Sequence, residues 1–165
     1  MKGAYDLVIE VLQQLGEEIP TSFDPKSFVD KVDEIQSKLS SMTEDDIMSM
    51  KRIESPSHYS LMKFHNQASF IAVFANPPML TWFITRLVEL ALEHGLCKYS
   101  ALGIVSYSVV LGGKLIKDLE GGYRLGKIAL KLLERFEAQD LLSNAYLTYY
   151  GYIAVHKEPF VKPSL

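Results

Sequence analysis

One cysteine, Cys97, is all that this chain of 165 residues contains, so it can form no internal disulfide and no cysteine-based zinc site. A lone thiol fits a reducing compartment, and the cytoplasm is the expected location. Long apolar runs are missing as well: every hydrophobic stretch is broken by Lys, Arg, Glu or His before the roughly 18 to 20 residues that a membrane span needs. The opening Met1-Lys2-Gly3-Ala4-Tyr5-Asp6 has no apolar core of a signal peptide. Lys and Arg do not gather into a run and the formal net charge is -3, so the chain lacks the electrostatic footprint of a nucleic-acid binder.

Catalytic signatures are equally scarce. Gly112-Gly113-Lys114 is followed by Leu115 where a phosphate-binding loop needs Ser or Thr. Gly121-Gly122-Tyr123-Arg124-Leu125-Gly126 follows no buried strand, so its glycines read as points of close helix approach instead of a dinucleotide turn. His58, His65, His94 and His156 make no HxxxH or HExxH pair, and no Gly-x-Ser-x-Gly elbow occurs. Cys97 has no sequence partner that would mark an activated nucleophile, although Lys98 adjoins it. No catalytic centre, cofactor site or metal site is therefore expected in this segment.

What the chain does have is helical periodicity. Hydrophobic residues make up 48% of it and charged residues 22%, enough for one globular core. Leu7, Val8, Val11, Leu12 and Leu15 form an apolar stripe that Gly16 terminates. This helix opens almost at the first residue, which points to a segment cut from a longer chain. Asp24-Pro25 starts a polar helix with a narrow stripe of Phe28, Val32, Ile35 and Leu39. Thr43 and Asp46 have capping-box spacing, and the acids there lack the alternating ligands and central Gly of a calcium loop. After Ser55-Pro56, helices are expected at about 57–74, 78–94, 99–111, 120–136 and 141–156.

These helices repeat. Laying 80–95 over 122–137 matches Phe83 with Leu125, Leu87 with Ala129, Val88 with Leu130, Leu90 with Leu132 and Ala91 with Leu133. A second match sets residues 3–7 against 121–125. The period, about 42 residues, is that of a helical hairpin. The expected fold is all-α: a short superhelix of stacked helical hairpins, tetratricopeptide-like, forming a single domain over 1–165. Residues 1–16 would be a helix of a preceding repeat, 17–54 a polar helical insertion, and 55–165 the hairpin repeats.

Two stretches carry a resemblance, YSALGIVSYSVVLGG at 99–113 and DLEGGYRLGKIALKLLERF at 118–136. They resemble the tetratricopeptide-like helical region of large bacterial multidomain sensor kinases, which fuse a serine/threonine kinase, an AAA- or STAND-type ATPase, a GAF domain and a histidine kinase. Residues 4–16, 75–78, 87–95 and the closing 155–159 are similar too, although Val155 or His156 stands where that family often has an aromatic. The resemblance implies a non-catalytic regulatory or protein-interaction scaffold in signal transduction, whose parent protein is a histidine kinase with an ATPase module. It implies partners in the adjoining domains of the same polypeptide, or a protein or peptide. Homodimerisation is a further option, because a cut repeat array exposes an end face without a polar capping helix.

Candidate groove residues follow from the first helix of each hairpin. Tyr99, Tyr107, Tyr146, Tyr149, Tyr150 and Tyr152 lie on such helices, and tyrosine supplies apolar area with a polar tip at interfaces. His65, beside Asn66 and Gln67, reads either as a satisfied core histidine or as a groove residue, and Trp82 as a packing anchor. The alternative function is a small-molecule sensor with its ligand between helices near His65, Trp82 and Tyr107. His94, just before Gly95, sits where a helix C-terminus favours a partly charged imidazole.

Overall fold

Local chemistry sets where several of the helices begin and end in the computed structural model, which describes residues 3–158. The first helix, α1 (Ala4–Gln14), stops at Gly16, whose φ of 93° only glycine adopts cheaply. There the Gly16 N–H donates to Gln13 O and the Glu17 N–H to Leu12 O, both at 3.0 Å, closing a Schellman turn. The following helix, α2 (Pro25–Leu39), is capped by Asp24, which accepts from the Lys26 N–H at 3.2 Å, with Pro25 at the first helical position. In the short α3 (Glu44–Met48) the capping box is complete: Thr43 accepts from the Asp46 N–H at 3.1 Å and Asp46 from the Thr43 N–H at 2.8 Å. Both caps are the ones that residue order predicts.

Ser55 and Pro56 open α4 (Pro56–Ala75), and Pro77 opens α5 (Pro77–His94). Then come α6 (Lys98–Gly112), α7 (Leu119–Arg135), α8 (Gln139–Tyr152) and a 3-10 turn, Ala154–His156. No strand occurs among the described residues; Arg52 and Leu96 alone pair as an isolated parallel bridge. The last helix is shorter than its periodicity suggests. Helix α8 ends at Tyr152; the capping Ile153 stays in the αR region, and its buried side chain lies beside Gly112 and Gly122. Lys157 then pairs with Glu120, and Tyr123 donates to Glu158 at 2.7 Å. Pro159 of the closing motif lies outside the described residues.

Successive helices pack as neighbours, α4 on α5, α5 on α6, α6 on α7 and α7 on α8, with α1 against α4. Helix α6 also touches α4 and α8, so α4, α6 and α8 lie side by side. The segment 17–54 joins the core: Phe28, Val32, Ile35 and Leu39 are buried and α2 packs on α5, while Ile47 is buried from α3, which packs on α7. Burying one such side chain contributes roughly 1.5–3 kcal/mol, which holds an otherwise polar helix in place.

The tightest joint is between α6 and α7. A Cβ at Gly122 would stand 2.5 Å from the Ser108 carbonyl oxygen, and one at Gly126 would overlap the Tyr149 ring. Gly151, on the outside of α8, has nothing within 4 Å. Gly122→Ala should therefore cost about 2–3 kcal/mol, since backbone cannot yield as a side chain can. Gly151→Ala should be neutral or gain up to about 1 kcal/mol from helix propensity. Urea unfolding of the two variants beside the parent chain measures the contrast.

Candidate functional site

The Schellman turn delivers Glu17 into a buried polar knot. Its carboxylate accepts from Arg86 Nη2 through Oε1 and from Arg86 Nε through Oε2, both at 2.9 Å, and pairs with His65 Nε2 at 3.0 Å. The three residues come from the end of α1, from α4 and from α5, so one carboxylate ties three elements together. Arg86 also pairs with Glu89, and Glu89 with Lys31 of α2 at 2.9 Å. Burial works against the Glu17 carboxylate, but hydrogen bonds and charge from His65 and Arg86 outweigh it and hold the pKa down near about 2. For His65, fully buried, desolvation dominates over the attraction of Glu17 and pushes its pKa below the usual 6.5. The neutral ring donates from Nε2 to Glu17, and Nδ1 is left without a partner.

The sequence-derived candidates separate into distinct places. His65 and Trp82 come together, with ring centroids 6.0 Å apart and Phe83 packed on both. Tyr107 and Tyr149 are fully buried core residues: Tyr107 donates to Gln36 Oε1 and Tyr149 to the Tyr123 carbonyl, each at 3.3 Å. Burial raises both phenol pKa values. Tyr99 is half-buried, edge-on to Tyr59 at 5.5 Å, with Lys98 Nζ 5.3 Å from its ring. Tyr146 and Tyr150 stack at 5.9 Å on the outer face of α8, where Tyr146 donates to Glu134 at 2.6 Å. Helical period explains this scatter, since residues 149 and 150 point in directions about 100° apart.

The apolar groove of the molecule lies elsewhere on the same helices. Phe70 and Val73 from α4, Val109 and Val110 from α6, and Thr148 and Tyr152 from α8 line a depression of about 530 Å³. Phe70 is 46% exposed, Val73 43%, Leu115 55% and Tyr152 63%, a contiguous apolar surface of the kind that marks an interaction site. Among its lining residues Lys114 is the one that carries charge. Phe70, Val73 and Leu115 had no signal of their own in the sequence, because apolar periodicity does not distinguish a residue facing the core from one lining a groove.

Chemistry-bearing groups do not converge. Among the described residues no group of three or more His, Cys, Asp or Glu side chains is placed to hold a metal ion. Cys97 is buried, and desolvation raises its thiol pKa. His58 and His94 stack with centroids 3.7 Å apart. Burial, then the charge of His58, lowers the His94 pKa. No described helix is long and apolar enough to cross a membrane. Comparison with family models, with curated proteins and with solved structures finds no match for this chain.

Acidification should loosen the knot in two steps. The lowered His65 pKa means that the unfolded chain takes up its proton first, so stability falls as pH drops below 6.5. Glu17 contributes its stabilisation above its ordinary 4.5 and loses it as pH falls toward about 2. Glu17→Gln should cost about 2–3 kcal/mol at pH 7, below the usual range for a broken buried pair because Arg86 keeps Glu89. It should also make the decline below pH 4.5 shallower than in the parent chain, the remainder coming from Glu34, Asp46 and Asp140, whose own partners hold their pKa values down. Urea midpoints between pH 8 and pH 3 for the two proteins check both statements.

Proposed function

We propose that this chain is a non-catalytic, tetratricopeptide-like interaction segment of a bacterial signal-transduction protein of the sensor histidine kinase and ATPase kind, working in the cytoplasm. Its groove takes an amphipathic helix from an adjoining domain of the same polypeptide. The observation that carries the reading is the apolar depression lined by α4, α5, α6 and α8, of which the sequence repeat reads α4, α6 and α8 as first helices of hairpins. The sequence repeat and the resemblance of 99–113 and 118–136 to the helical region of such kinases add to it.

The lining chemistry favours a helix over an extended peptide. The described residues offer no sheet edge for an added strand to pair with. An apolar groove instead suits a helix that presents residues at i, i+3, i+4 and i+7. Polar side chains in the lining, Asn66, Ser69, Thr81 and Ser106, give it a few fixed hydrogen-bonding points. Lys114 at the α6–α7 turn calls for a carboxylate near one end of the partner helix.

Phage display of 16-residue peptides against the purified chain tests this. Selected peptides should carry the helical apolar spacing with Asp or Glu toward one end. They should bind the Phe70→Glu/Val73→Glu chain at least about tenfold more weakly, a loss of 1.4 kcal/mol or more. Both positions are partly exposed, so the variant should keep its helical circular dichroism. Peptides without that spacing, or binding undiminished by the double substitution, would refute the docking proposal.

A further inference from the structure

A second concavity, on the opposite side of α5's chemistry from the groove, has a different character. It lies between α5 and the connector that runs from α1 into α2, and encloses about 440 Å³. Its floor is the ion-pair chain in which Glu17 holds Arg86, Arg86 holds Glu89, and Glu89 holds Lys31. Those two cations are fully engaged. At its rim stand Glu18 and Asp24, neither of which has a salt-bridge partner among the described residues; Asp24 Oδ1 accepts only the capping N–H of Lys26. The lining thus holds four acidic and two basic side chains, a formal surplus of two negative charges.

Rings complete the enclosure. Trp82, half-buried, and Phe23, tilted against Phe28 with centroids 5.4 Å apart, form parts of the wall. Aromatic faces beside carboxylates attract organic cations, through the ring quadrupole and through direct ion pairing. A small metal ion, which holds its hydration shell tightly, would leave the alkyl-sized apolar wall unused, and an anion would meet the surplus of carboxylates. The knot behind the wall also matters: Glu17 stays ionised because Arg86 and His65 donate to it, so the floor keeps a fixed charge pattern. This cleft shares Phe28 with the groove but is otherwise lined by different residues, so it does not depend on the groove's partner.

We infer that the cleft beside Trp82 binds a small organic cation of the diamine or guanidino-amine class, its charged ends on Glu18 and Asp24 and its alkyl body along Trp82 and Phe23. Trp82 is the sole tryptophan, so it reports the site directly. The probe is agmatine, with putrescine as the diamine and n-butylurea as the neutral control, each titrated into the full chain. Trp82 emission and its indole Nε1–H resonance are followed. Agmatine should give a saturable change with half-saturation below roughly 1 mM that weakens as salt is added, as for any charge-dependent contact. n-Butylurea should give none. Glu18→Gln/Asp24→Asn should raise the half-saturation at least about fivefold, and it leaves the fold intact because Asn also caps helices and Glu18 is exposed. The inference is overturned by the absence of a saturable change up to about 10 mM, by an equal response to the neutral urea, or by a double variant that binds unchanged.

Discussion

The close approach of α7 to α6 is the constraint on which the architecture rests. Residues 122 and 126 must be glycine, since a side chain at the first would strike the Ser108 carbonyl and at the second the Tyr149 ring. Dispersion and burial both grow when backbones meet this closely, and Tyr107, Leu111, Leu125, Ala129 and Tyr149 are consequently sealed from solvent. With α6 and α7 locked, α8 has only one way to lie, against both. The groove lies where α4, α6 and α8 run side by side, with Leu80, Thr81 and Ile84 of α5 and Phe28 of α2 also in its lining.

The other half of the molecule adds a cluster of charges to its close packing, in which Leu12, Met62, Ala68, Ala72, Phe83 and Leu87 are buried. Glu17, at the end of α1, is held by Arg86 of α5 and His65 of α4. A buried ion pair of this kind adds little net stability over an apolar isostere, yet removing one partner is costly. Its contribution is to specify how three elements meet. The same chain of pairs reaches Lys31, so α2 is joined to it as well as by its apolar stripe.

Much of this was legible in the residues. Asp24 with Pro25, Thr43 with Asp46, and Ser55 mark helix starts by chemistry that is local in sequence, and the structure has helices beginning at each, while α5 begins at Pro77, one residue before the expected start. What depends on distant pairing was not legible. Glu17 and Arg86 are separated by 69 positions, and neither stands out by composition. The tyrosines of α8 share a helix but not a face: Tyr149 is turned to the core while Tyr146 and Tyr150 stack outside it. The segment 17–54 looks polar because its stripe is one residue wide, but that width is enough to cover α5.

The groove and the cleft differ in their linings: one is apolar with a single charged residue, Lys114, the other carries a surplus of carboxylates beside Trp82 and Phe23. The central claim is that the first of these receives a helix. Methyl-resolved NMR of the chain with a groove-selected helical peptide tests it most directly. The account predicts that shifts concentrate on Val73, Val109, Val110 and Leu115. Shifts confined instead to Leu147 on the outer face of α8, or to Leu7 and Val11 of α1, would contradict it.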